Sequence, residues 1–225
     1  MTLVLFDLDN TLIGGDSDYL WGEFLVSREL VDTEQYRRRN QQFYDDYENG
    51  SLDVAEYLRF ALSALSELDG TLLERSHAEF MRQSIDPIRL TKADALIKEH
   101  KDQGHEIAVI TSTNRFVVEP IVRELGIENL ICSEPEIVDG RYTGDFVGTP
   151  CFAEGKITKI NQWLEENSGK LSGAGPDVLK GAWFYSDSHN DLPLMGEVGV
   201  PIAVDPDSKL RAEAQDRNWK IISLR

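Results

Sequence analysis

The chain has 225 residues, of which 41% are hydrophobic and 28% charged, and its formal net charge is −17. That length predicts one large domain, or one domain carrying an insertion, and the composition excludes a disordered chain. The acidic balance argues against nucleic acid and anionic membranes, both of which are held by basic residues.

No run approaches the roughly 20 apolar residues of a membrane span. The N-terminus lacks the charged region and cleavage site of a signal peptide. The two cysteines, Cys132 and Cys151, have no zinc or redox spacing. A cytoplasmic protein with reduced thiols, monomeric or homodimeric, is therefore expected. The same negative field would repel a phosphate ester, so a phosphate site here needs a metal or particular Lys and Arg side chains.

In chain order, Leu3-Val4-Leu5-Phe6 is a short apolar run that stops at Asp7. Without polar alternation it predicts a strand buried on both faces. Residues 16–87 show no strand pattern. Helix formers and aromatics such as Tyr19, Trp21, Phe43 and Tyr47 predict an all-helical insertion there, and Asp86-Pro87 marks its end. Helical periodicity follows over residues 90–101, 116–125 and 157–166, with Pro120 read as lying in a first turn, where proline is tolerated. Apolar runs at residues 107–110, 130–131, 182–185, 200–204 and 220–223 predict further strands. Asp139-Gly140 predicts a hairpin, and the Gly- and Ser-rich residues 168–176 a surface loop. Strands alternating with helices predict a doubly wound parallel sheet of Rossmann-like type, with residues 1–15 and 88–225 as the core and 16–87 as a helical cap domain.

Ligands of such sheets bind at the carboxyl ends of the strands. The first strand is followed by Asp7-Leu8-Asp9, a carboxylate pair or a solvated turn. The second is followed by Thr111-Ser112-Thr113-Asn114, whose hydroxyls and N–H groups suit a phosphate, or simply cap a helix. Lys156 stands near a helix N-terminus, where its charge opposes the helix dipole, so a functional role competes with a solvated one. The strand at residues 182–185 leads into Ser186-Asp187-Ser188-His189-Asn190-Asp191, whose carboxylates are hard ligands suited to magnesium. His189 reads as structural or substrate-facing. Crowding Asp7, Asp9, Asp187 and Asp191 at one sheet edge requires a compensating cation.

With those motifs in place, the sequence resembles the haloacid dehalogenase-like hydrolase superfamily over nearly its whole length. Phe6-Asp7-Leu8-Asp9-Asn10-Thr11-Leu12 is similar to its first motif, Ile110-Thr111-Ser112 to its second, Lys156 to its third, and residues 186–191 to its fourth. The helical insertion and the hairpin resemble the phosphoserine-phosphatase-like subfamily. The resemblance implies a phosphatase with Asp7 as nucleophile and Asp9 as acid and then base. It implies that Thr111 and Lys156 hold the phosphoryl group, with Ser112 beside them. Mg²⁺ would be bound by Asp7, the main-chain carbonyl of Asp9 and Asp187, with Asn190 and Asp191 touching phosphate, metal-bound water or Lys156. Thr-Ser-Thr-Asn where the subfamily shows Ser-Gly-Gly, and Ser188-His189 in the fourth motif, set this chain apart from phosphoserine-specific members.

Specificity is expected from the helical insertion. Asp16 or Asp18 either pairs with a substrate ammonium or caps the first inserted helix. In the subfamily an acid near Asp16 reads an amine, which favours phosphoserine or histidinol phosphate over a sugar phosphate. Arg59 and the run Arg37-Arg38-Arg39 are candidates for a substrate carboxylate, or parts of a solvated face. A phosphomutase or phosphotransferase would use the same first motif, and a non-catalytic regulatory protein is the alternative from another class.

Overall fold

The computed structural model describes residues 2–168 and 176–225. The Gly- and Ser-rich stretch expected to be a loop lies, but for its ends, outside the described residues. The strands are β1 (Leu3–Phe6), β2 (Glu106–Asn114), β3 (Asn129–Val138), β4 (Arg141–Val147), β5 (Trp183–Ser186), β6 (Val200–Val204) and β7 (Lys220–Ile222). They form one sheet in the order β4-β3-β2-β1-β5-β6-β7. Every pairing is parallel except that of β3 with β4.

β1 lies at the centre because its residues are apolar on both faces. All four are buried, and Leu5 pairs with Ala108 on one side and Phe184 on the other. Alternate residues point to opposite faces of a strand. Val4 and Phe6 accordingly join one hydrophobic cluster and Leu3 and Leu5 the other. The chain winds to β2 on one side of β1 and later to β5 on the other, so a crevice opens at the carboxyl end of β1.

The helices are α1 (Ser17–Ser27), α2 (Thr33–Asn49), α3 (Val54–Glu67), α4 (Gly70–Phe80), α5 (Thr91–Asp102), α6 (Arg115–Glu124), α7 (Glu154–Glu166), α8 (Pro176–Lys180), α9 (Leu192–Glu197) and α10 (Ser208–Asp216). The first four lie between β1 and β2, and Asp16, Asp32, Asp53 and Asp69 cap them in turn through side-chain oxygens. Part of the acidic composition is thus spent on exposed N–H groups at helix starts. A π-helical turn (Met81–Ile85) and a 3-10 turn (Asp86–Ile88) bring the chain back to the sheet, where Ile13 bridges Arg89. Trp21, Phe24, Leu58, Leu62 and Phe80 pack in the same cluster as Val4, Phe6 and Val117, so these helices share one face of the sheet's core. Among the described residues no helix is long and apolar enough to cross a membrane.

Two sequence readings need correction. The second strand does not end at Ile110 but runs to Asn114 through a register shift, because Ser133 on β3 pairs with Asn114. Pro120 is the sixth residue of α6, inside the helix and past its first turn. Its missing N–H and ring cost a helix interior about 3 kcal/mol, offset here by burial of Val117, Val118, Ile121 and Val122 on the same helix. The hairpin at Asp139-Gly140 has both residues at positive φ, 50° and 75°, as a two-residue hairpin turn requires.

Candidate active site

Asp7 leaves β1 with its backbone still in the sheet, its N–H donating to the Tyr185 carbonyl at 2.9 Å. Its carboxyl is 7% exposed and meets Lys156 Nζ at 2.8 Å. The same ammonium lies 2.7 Å from Asp191, whose other oxygen accepts from Ser186 Oγ at 2.7 Å. Lys156 reaches this depth because the start of α7 is pressed against the sheet. Ala153 before it has φ 47°, and a Cβ on Gly155 would collide with the Pro150 carbonyl. A buried lysine is tolerated only when paired. Burial works against its charge, but Asp191 and Asp7 outweigh burial and hold it protonated.

The carboxyls themselves are pushed up. Burial, then the neighbouring Asp191 and Asp9, raise Asp7 to about 7 against the pull of Lys156. Burial followed by Asp7 and Asp191 raises Asp187 well above the usual carboxylate range, although Thr11 Oγ1 donates to it at 3.2 Å. One lysine thus leaves these three acids undercompensated.

Asp9 is held on both oxygens. Oδ1 accepts the Ser17 N–H at 2.6 Å, and Oδ2 accepts from Thr113 Oγ1 at 2.9 Å and Thr111 Oγ1 at 3.5 Å. Burial, then Asp16, raises it to about 6 despite these donors. The sequence offers Thr113 only as one hydroxyl of a phosphate-suited or helix-capping run, not as a partner of Asp9, and carries no sign of the Ser17 N–H. The extension of β2, invisible in the apolar pattern, is what turns Thr113 toward Asp9.

A narrow cavity, open in part to solvent, stands over this floor. Asp7, Asp9, Thr111 and Ser112 line it from the sheet, and α1, α2 and α3 supply Asp16, Asp18, Phe43, Tyr44, Tyr47 and Tyr57. Asp16 caps α1, accepting from the N–H groups of Asp18 and Tyr19 at 3.0 and 2.9 Å, and it faces the cavity as well. Burial raises Asp16 to about 6 and Asp18 to about 7.

Other sequence candidates lie elsewhere. Arg59 does not line the cavity. Its Nε is 3.3 Å from Asp145 and its guanidinium stacks over Phe146, because α3 turns this face to the β3–β4 hairpin. Arg39 pairs with Glu56 at 2.7 Å, while Arg37 and Arg38 are exposed. Asn190 donates its side-chain amide to the Tyr47 carbonyl at 3.2 Å, tying the sheet to the end of α2. His189 is structural here. Its Nδ1 meets Asp207 at 2.8 Å and its Nε2 meets Lys209, which donates to the Asn49 carbonyl.

A doubly wound sheet with its polar residues gathered at one switch-point crevice defines an α/β enzyme. Residues 4–196 match the family described as haloacid dehalogenase-like hydrolase, and the chain belongs to that family, in its phosphoserine-phosphatase-like branch. It is a phosphatase, a phosphoric monoester hydrolase. Over 224 residues it is 42% identical to a protein of Neisseria meningitidis serogroup C (strain 8013) named histidinol-phosphatase, covering 99% of each chain. A crystal structure of a protein of unknown function from Bordetella pertussis Tohama I superposes with a TM-score of 0.90 at 40% identity, covering 100% of both chains. A substrate-bound phosphoserine phosphatase shares the fold at 23% identity, with a TM-score of 0.68 and coverage of 98% and 92%.

Proposed function

We propose that the chain is a magnesium-dependent phosphomonoesterase that works through an aspartyl-phosphate on Asp7, and that its substrate is a small amino-alcohol phosphate without a carboxylate. The observation that carries the chemistry is that Asp7 and Asp9 open on one cavity, with Lys156 fixed 2.8 Å from Asp7 and Asp9 raised to about 6. An Asp7 oxygen attacks phosphorus, the phosphorus–oxygen bond to the alcohol breaks, and Asp9 protonates the departing oxygen. A water then attacks the phosphorus of the acyl phosphate and gives its proton to Asp9. Inorganic phosphate departs and the Asp7 carboxylate is restored. Splitting one displacement into two lowers each barrier, and a carboxyl titrating near the working pH serves in both proton transfers. Lys156 and Thr111 hold the phosphoryl oxygens, and Asp191 and Ser186 orient Lys156.

The donor set suits Mg²⁺. No three His, Cys, Asp or Glu side chains converge on a metal position among the described residues. Mg²⁺ does not require three, since one or two carboxylates, waters and substrate phosphate complete its shell. Asp7, Asp187 and the main-chain carbonyl of Asp9 would hold it, and the elevation of Asp7 and Asp187, each by burial and by neighbouring acids, is the excess negative charge that a cation relieves. When bound, it would neutralise charge on the transferring phosphoryl group.

The amino-alcohol part rests on the cavity wall. Its described lining contains Asp16 and Asp18 and no Lys, Arg or His. Asp16 is placed to take an ammonium, and nothing there would neutralise a carboxylate, which phosphoserine carries and histidinol phosphate lacks. The relative named histidinol-phosphatase supports the same choice. Residues 16–87 then act as a cap that excludes water over a core of 1–15 and 88–225, in the cytoplasm.

Phosphate release from histidinol phosphate, phosphoserine, a sugar phosphate and a nucleotide tests this, with and without Mg²⁺, for the wild type and Asp7→Asn. Release should need both Mg²⁺ and Asp7, and histidinol phosphate should exceed phosphoserine. Release that survives Asp7→Asn would overturn the mechanism, and a preference for phosphoserine would overturn the substrate class.

A further inference from the structure

Asp18 is the acid of the cavity that neither the hydrolytic scheme nor the helix cap uses. It is 5% exposed, and Asn114, the last residue of β2, donates to its Oδ1 at 3.3 Å. Its Oδ2 is buried and no donor meets it with hydrogen-bond geometry, although the Tyr57 hydroxyl stands next to the carboxyl and pulls its pKa down against burial. A buried carboxylate oxygen without a donor is expensive, and folded proteins keep few of them. The side chain lines the same cavity as Asp7, with Tyr57 beside it and Phe43 packed on Tyr57 at 5.3 Å between ring centroids. Thr113 donates to Asp9 and Asn114, the next residue, to Asp18, and the acid that acts on Asp18 is Asp9 rather than Asp7.

We propose that Asp18 and the surrounding rings form a subsite for a second nitrogen base on the substrate, planar, aromatic and protonated, at the end remote from the phosphate. A ring N–H would donate to Oδ2 in a charge-assisted hydrogen bond. The faces of the same ring would lie against the aromatic walls, where a cation is attracted to the π-system. A simple alkylammonium would satisfy Oδ2 and leave the walls unfilled, and an apolar ring would fill the walls and leave Oδ2 without a donor. Asp18 is thus a specificity-determining residue, distinct from Asp16 and its amine. The proposal rests on the phosphatase reading above and adds the chemical class of the far end of the substrate.

The test compares two phosphomonoesters that share an amino-alcohol and differ in the ring, histidinol phosphate and phenylalaninol phosphate. For the wild type, kcat/KM should favour the imidazole ester by about 10- to 100-fold, the range of a hydrogen bond to a charged group. In Asp18→Asn that ratio should fall toward one, in protein whose circular dichroism matches the wild type. A wild-type ratio near one, or a ratio that Asp18→Asn leaves intact, overturns the subsite while leaving an Asp7-dependent phosphatase standing. If neither ester is turned over, the phosphatase reading fails, and thermal shifts by the two free alcohols, histidinol and phenylalaninol, still decide the subsite. A larger shift by histidinol supports it and equal shifts overturn it. The wild-type comparison needs no variant, so it decides even if Asp18→Asn does not fold.

Discussion

Asp9 accepts three hydrogen bonds, at 2.6, 2.9 and 3.5 Å, and still titrates near 6. Donors to a carboxylate ordinarily lower its pKa. Burial, with Asp16 next to it, outweighs them. The consequence is a group that is protonated and deprotonated in comparable amounts just below neutral pH. Breakdown of the phosphoenzyme needs the deprotonated form, so its rate should fall as pH drops through about 6. Expulsion of the alcohol needs the protonated form and should slow above that value. Single-turnover rates against pH would show the two limbs. Asp9→Asn should remove both and lower kcat by about 10²- to 10⁴-fold, the usual reach of a positioned acid or base. Limbs that persist in Asp9→Asn would assign them to another group, with Asp7 next in line.

The start of α1 puts two demands on Asp16. Its side chain caps the N–H groups of Asp18 and Tyr19, and its charge faces the cavity. Substitution separates the two. Asp16→Asn keeps a capping oxygen and removes a buried charge, so the protein should lose no stability while KM for an amine-bearing ester rises about tenfold or more. Asp16→Ala should lose the amine as well and about 1 kcal/mol of stability. Chemical denaturation beside steady-state kinetics checks both, and an unchanged KM in Asp16→Asn would remove the amine from Asp16. Sequence reasoning reached the cap because Asp before a helical run is a local signal, while the amine came from the family resemblance alone. It likewise reached Asp7, Thr111 and Asp191, since short apolar runs show where buried strands stop, and Lys156, whose charge stands against the dipole at a helix N-terminus. It did not reach the line between cavity wall and hairpin. Helical periodicity gives the face a residue occupies and not what that face meets, so Arg59 and Tyr57, both on α3, were indistinguishable until α3 was seen against β4. The contact of Thr113 with Asp9 stayed hidden for a related reason, because a strand that continues through polar residues leaves no apolar trace.

Across the molecule, burial raises Asp7 and Asp18 to about 7 and Asp9 and Asp16 to about 6, from 3.8. The folded state therefore holds these protons more tightly than the unfolded chain. The stability this contributes is complete below the unfolded value and is lost as pH rises through 6 to 7. Burial lowers His77 and His100 from 6.5, and their contribution runs the other way, present above 6.5 and lost on acidification. A single-site comparison removes that opposition. Asp18→Asn should raise the melting temperature over wild type at pH 8, with the gain shrinking as pH falls and vanishing only below about pH 3, where the carboxyl is protonated in both states. A gain independent of pH, measured by calorimetry, would show that the charge of Asp18 is not what destabilises the fold. The central position of β1 governs the order of assembly as well. Leu5 pairs with Ala108 and Phe184, so the first strand made has one neighbour halfway along the chain and the other near its end. At translation rates of about 5–20 residues per second, β1 waits on the order of ten seconds before its second flank exists. Through that interval the nascent chain carries an apolar strand with an open edge. The centre of the sheet can close only once β5 has been made, and a chaperone that shields β1 until then would act on the step that commits the whole sheet.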